Sequence, residues 1–123
     1  MSSFDPVSMR VADSIAAYRI VRCNGVHQVG LATAAADSIF GVTQDEATKS
    51  NQAVPVQVQG IAKCYMNDTI TVGGLVMTDA SGRGIPLVVN TAGVYAVGVC
   101  LETVSATGTL AQILVRPFQV SIP

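Results

Sequence analysis

"VPVQVQGIAKCYM", residues 54–66, decides the fold class. Its even positions Val54, Val56, Val58, Ala62, Cys64 and Met66 are apolar, while the odd ones include Pro55, Gln57, Gln59 and Lys63. Alternation with a period of two puts one face inward and one outward on a long β-strand. Gly60 falls on the inward side, where a missing side chain marks a bend, a bulge or a close backbone approach. Pro55 cannot donate a ladder hydrogen bond, so the strand is expected to begin at a sheet edge.

Working outward, turn residues cut the rest of the chain into similar pieces. Asn67-Asp68 and Gly73-Gly74 flank "TITV", and "ASGRG" at 80–84 separates "LVMT" from "IPLVV". "GVYAVGVCLETV" reads as a strand, "SATG" at 105–108 as a turn and "LAQILVRPF" as the returning strand. "SIAAYRIVR" and "HQVGLAT" are further strands, and "TQDEATKSNQ" is a surface loop. No segment carries a sustained apolar stripe of helical period. Short strands with Gly-rich turns predict an all-β fold, a small β-barrel or β-sandwich. The expected core is Val56, Val58, Cys64, Val97, Val99, Ile113 and Val115, with Gln57, Gln59 and Lys63 facing out.

One layout occurs twice. "GVTQDEATKSNQAVPVQV" (41–58) and "GVCLETVSATGTLAQILV" (98–115) both open on Gly-Val and close on an aliphatic run. Val42 to Val56 is a step of 56 − 42 = 14, and Val99 to Ile113 a step of 113 − 99 = 14. Two hairpin-like units of this kind could pack face to face around one small core, which a single hairpin cannot form.

A chain of 123 residues predicts one domain. Half of it is hydrophobic and only 12% is charged, so part of its surface is expected to be covered by copies of itself or by a partner. The formal net charge of −1 and the scattered arginines and lysines argue against nucleic acid and anionic membrane. The uncharged stretch from Gly84 to Leu101 is broken by Pro86, Asn90, Thr91, Gly93 and Gly98, which excludes a spanning helix. "MSSFDPVSMR" lacks the basic start and apolar core of a secretory signal, so cytoplasmic synthesis is expected.

Candidates for chemistry are few. Cys23, Cys64 and Cys100 are widely spaced, form no C-x-x-C pair and read as buried thiols acting as small hydrophobes. His27 would need a cysteine and an orienting group beside it to serve catalysis, and reads as a surface histidine. Ser81-Gly82-Arg83-Gly84 is a turn rather than a nucleophile elbow. Asp68 and Asp79 stand apart, without the alternating ligands of a calcium loop. No catalytic, cofactor or metal site is expected.

The order of elements resembles a family of tailed-phage head proteins, the capsid decoration or cement proteins. The residues that carry the resemblance are Gly41–Gln44, Val56–Val58, Ile70–Val76, Ser81–Arg83 and Gly98–Glu102, within roughly residues 36 to 115. The chain departs from the pattern at Gly74, where aspartate is preferred. The resemblance implies a β-rich, commonly trimeric, non-catalytic module on the outside of an icosahedral shell, in the virion, with the major capsid protein as partner.

Residues 1–14, "MSSFDPVSMRVADS", are then expected to form an extended N-terminal arm ahead of a single β domain over 15–123. Its Phe4, Pro6, Val7, Met9 and Arg10 are the capsid-contact candidates, since an extended segment can add to a sheet edge of a neighbour. Two other classes share the composition: a tail-tube or head-completion subunit, separable by ring symmetry, and a ligand-binding barrel, separable by replacing His27 and the cysteines.

Overall fold

The computed structural model describes residues 6–26, 28–34, 38–87 and 94–119. Among them are ten strands and no helix: β1 (Val7–Val11), β2 (Ile20–Gly25), β3 (Gln28–Leu31), β4 (Ile39–Thr43), β5 (Ala53–Gln57), β6 (Gly60–Met66), β7 (Leu75–Thr78), β8 (Gly84–Pro86), β9 (Tyr95–Cys100) and β10 (Thr109–Gln119). The all-β expectation holds. Two expected strands fall short: "TITV" contributes only an isolated bridge, Ile70 to Val104, and "SIAAYRIVR" is strand only from Ile20, with Ile15 in an isolated bridge to Ala47.

The opening stretch is two strands rather than one. β5 ends at Gln57, β6 begins at Gly60, and Gly60 has φ 97°, a conformation that favours glycine. The expected bend is therefore the passage between two closed five-stranded barrels. The first has the cyclic order β1-β3-β2-β4-β5, and the second, read from β6, has the order β6-β8-β7-β9-β10. β5 is paired on both sides, with β1 and with β4, so Pro55 does not mark an edge. Its carbonyl accepts the Gln44 N–H at 2.9 Å. On a strand a residue's N and O point the same way, so the missing N–H falls on that side, beyond the short β4 ladder.

Each strand of the first barrel thus has its counterpart five strands later. β1–β3 and β6–β8 are parallel, and the other pairings are antiparallel in both halves. The isolated bridges correspond as well, Ile15 to Ala47 and Ile70 to Val104. So do two left-handed backbone positions, Tyr18 with Gly73 and Asn51 with Gly108. The doubled layout is the closing hairpin of each barrel, β4–β5 and β9–β10. The two hairpins do not close a single core as the sequence pattern suggested, because each belongs to its own barrel; they meet only where β4 shares an apolar cluster with β9 and β10.

The repeated Gly-Val has a packing reason. A Cβ on Gly41 would run into the Gln57 carbonyl, and one on Gly98 into the Leu114 carbonyl. The positions match, since 98 − 41 = 57 and 114 − 57 = 57. At both places the hairpin's strands cross so closely that only hydrogen fits.

Two clusters of buried residues fill the molecule. Val11, Val21, Val29, Val54 and Val56 line the inside of the first barrel together with Ile15 and Ala47. The second cluster holds Cys64, Met66, Val97, Ile113 and Val115 of the second barrel, and also Ile20, Ile39 and Val42 of the first. The barrels therefore share apolar packing along β2 and β4. This placement overturns one sequence expectation. Gln57 does point out of its own barrel, but that face is covered and the residue is only 4% exposed. Its amide nitrogen donates to the Gln59 carbonyl, so the buried amide is satisfied. Val58 and Val99, expected in the core, are only partly buried.

Candidate functional site

The first surface to consider is the one the sequence singled out. Phe4 lies outside the described residues. Pro6 and Arg10 are exposed, and Val7 is 41% exposed at the start of β1. Met9 packs against the first barrel's interior cluster. β1 is not a detached arm, because it lies between β5 (Val7↔Val56 to Arg10↔Ala53) and β3 (Arg10↔Gln28, Val11↔Val29). Alternation along β1 turns Met9 and Val11 inward beside Val54 and Val56, leaving Ser8 and Arg10 outward. The candidates thus sit where the chain enters the first barrel, with Pro6, Val7 and Arg10 presented at its rim.

A second surface escaped sequence reasoning. On the outside of the second barrel, pairing places Leu75 beside Val99, Val99 beside Leu114, and Leu114 beside Ile61. The row crosses four strands and is aliphatic from end to end. Ile61 is 43% exposed, and Leu110 farther along β10 is equally so. Lys63 and Gln112 pair in the next outward position and give the patch a polar border. The signal was present in "LAQILV": Ala111, Ile113 and Val115 fill the core while Leu110 and Leu114 face the other way. A strand that is apolar on both faces has a covered outer face or awaits a cover.

The contact between the barrels shows how such a cover is held. The Tyr65 N–H donates to the Tyr18 carbonyl at 2.9 Å, and the Ile20 N–H to the Gly82 carbonyl at 2.7 Å. Gln44 Nε2 donates to the Lys63 carbonyl at 3.2 Å. The Arg19 guanidinium lies 4.3 Å from the centre of the Tyr65 ring, a cation–π contact. Asp79 shapes the turn that delivers Gly82: Oδ1 accepts the N–H groups of Ser81 and Arg83, and Oδ2 accepts Asn67 Nδ2 and Arg83 Nε. The Ser-Gly-Arg element is thus a latch between barrels.

The chemistry available is sparse. Among the described residues no group of three or more His, Cys, Asp and Glu side chains is placed to hold a metal. Two shallow depressions, of about 400 and 300 Å³, are lined around Ile15 and Ala47 and around Ile70 and Val104. They occupy the same place in the two repeats, which makes them features of the fold. Burial pushes the Cys64 thiol up to about 12, so it stays protonated and inert. Cys100 is buried too, and its thiol donates to the Glu102 carbonyl at 2.9 Å. Cys23 is exposed, contrary to the expectation that all three are buried. It lies near the end of β2, where alternation after the buried Val21 is interrupted by a register shift. His27 lies outside the described residues.

Known proteins share this geometry. The model of the phage cement protein family matches residues 5–117, which take in both barrels. A search of curated proteins returned no match. Among solved structures, the crystal structure of the head fiber gp8.5 N base in bacteriophage phi29 is similar, with a TM-score of 0.67 and 18% identity. The likeness covers 94% of this chain and 93% of that one, and it shows a shared fold. The chain belongs to the phage cement protein family and is a capsid-binding structural protein.

Proposed function

We propose that this cement protein sits on the exterior of an icosahedral phage head as a homotrimer, bound to the major capsid protein, and stabilises the shell without catalysis. The family match carries the reading, since it names a cement protein and takes in both barrels. The low charge, which suits a surface covered by a partner, supports it. The protein is made in the host cytoplasm and needs no nucleic acid, membrane or cofactor.

The capsid contact is the N-terminal entry to the first barrel: Phe4, Pro6, Val7 and Arg10, with Met9 supporting the strand from inside. Apolar area buried there contributes about 25 cal/mol per Å². Fixing a residue at the contact costs roughly 1–2 kcal/mol, so the gain per copy is small and is multiplied over the shell. Because β1 is a strand of the barrel, the informative variants are point changes rather than removal of the segment. Phe4→Ala with Arg10→Glu is expected to keep the fold, lower occupancy on heads lacking the protein, and lower the heat or chelator stress at which those heads release DNA. Unchanged occupancy and release would remove this segment from the contact.

A further inference from the structure

The two repeats have matching outward rows, one of them buried and the other only partly so. In the first barrel Ile20 pairs with Val42 and Val42 with Gln57, and all three side chains are buried. The matching row of the second barrel is Leu75, Val99, Leu114 and Ile61. Its correspondence follows from 75 − 20 = 55, 99 − 42 = 57 and 114 − 57 = 57, the same offsets that relate the paired bridges and the paired glycines. This second row is more apolar than the first, having leucine where the first has Gln57, yet it faces outward.

What covers the first row is a seam in the second barrel. β6 and β8 are joined at a single pair, Met66↔Gly84. Beside that pair the backbone of Tyr18 and Ile20 bonds to Tyr65 on one flank and to Gly82 on the other. The side chains of Ile20 and Val42 then join the second barrel's core cluster. The seam of the first barrel lies between β1 and β3, at Arg10↔Gln28 and Val11↔Val29. Just ahead of β3 is Val26, 89% exposed. One chain therefore carries a row and a seam joined internally, a partly exposed row on its second barrel, and on its first the equivalent seam, closed by one more pair.

We propose that the Leu75–Val99–Leu114–Ile61 row of one copy docks at the β1–β3 seam of a second copy of this chain, repeating the contact between the barrels. The occupant is a second copy because the molecule itself shows that rows of this fold are covered by barrels of this fold. The contact is head to tail, so it closes only as a ring of copies and otherwise grows as a filament. This rests on and deepens the self-association read above, and it places the second copy beside Arg10, at the edge of the segment proposed for the capsid contact.

Native mass measurement and cross-linking test it. Ile61→Glu with Leu114→Glu should reduce the wild-type oligomer to single chains with the folded β spectrum retained. Because 101 − 44 = 57 and 63 − 8 = 55, the Gln44–Lys63 contact predicts that Leu101 of one copy meets Ser8 of the next. In a Cys23→Ser background, Leu101→Cys with Ser8→Cys should form disulfides between copies, and neither cysteine alone should. A wild-type protein that stays monomeric would overturn both the self-association and the docking face. An oligomer that survives the double glutamate variant, or that cross-links through Leu101→Cys alone, would overturn the face and leave self-association standing. Head binding by the monomeric variant reads the capsid contact separately.

Discussion

The two barrels share strand order, pairing directions, bridge positions and an obligatory glycine, but not their surroundings. The first has its outward row buried under its neighbour, and the second has the equivalent row partly exposed. In a sheet, alternation sets which way a side chain points; burial depends on what lies beyond the sheet. Gln57 and Leu114 occupy equivalent positions and invert the usual expectation, the amide being buried and the leucine partly exposed.

Replacing the shared glycines tests the equivalence most severely. Gly41→Val and Gly98→Val each drive a side chain into a backbone carbonyl that cannot swing aside. Each should cost on the order of 4 kcal/mol or more, in the extreme tail of single substitutions. Denaturant unfolding in which one variant is tolerated and the other is not would separate the two hairpins.

Core truncation sharpens the contrast in cover. Ile113→Ala and Ile20→Ala should each cost about 2–5 kcal/mol, because both side chains are fully buried. Leu75→Ala, the repeat equivalent of the second, should cost under about 1 kcal/mol in the isolated chain. Equal losses for Ile20→Ala and Leu75→Ala would show that the outward rows are covered alike.

The cysteines give a third comparison. Cys23 should react with a thiol reagent in the native state, while Cys64 and Cys100 should react only on unfolding. Burial raises the Cys64 thiol from 9.0 to about 12, so the folded state holds its proton where the unfolded chain loses it. Stability from this group is fully present below about pH 9 and falls as pH rises toward 12. Cys64→Ala should flatten that alkaline decline in a melting series across pH. A small effect is also expected for Arg19→Ala, which removes the contact with Tyr65 and should cost about 0.5–1 kcal/mol.

Much of this fold was legible in residues 54–66 and in the doubled hairpin. Period two gave the strands, Gly60 the bend, and the repeated spacing the correspondence of β4–β5 with β9–β10. The arrangement into two barrels was not legible, because Val56-Gln57-Val58-Gln59 alternates without interruption across a boundary that only the Gly60 backbone enforces. Membership of β1 in the first barrel was also hidden. "VSMRV" is too short and mixed to reveal its two neighbours, Ala53–Val56 on one side and Gln28–Val29 on the other, both distant in sequence. The outer row was missed because Val99 and Leu114 look like core residues, and only the register puts them on the far face.

The account stands on capsid binding by the whole module. The direct measurement adds the purified protein to heads that lack it, then follows bound copies per head and the stress at which DNA is released. Saturable binding at a fixed number of copies, with release shifted to higher temperature or chelator concentration, is the predicted result. Heads that bind no protein, or that bind it to saturation and release DNA at an unchanged stress, would contradict the account.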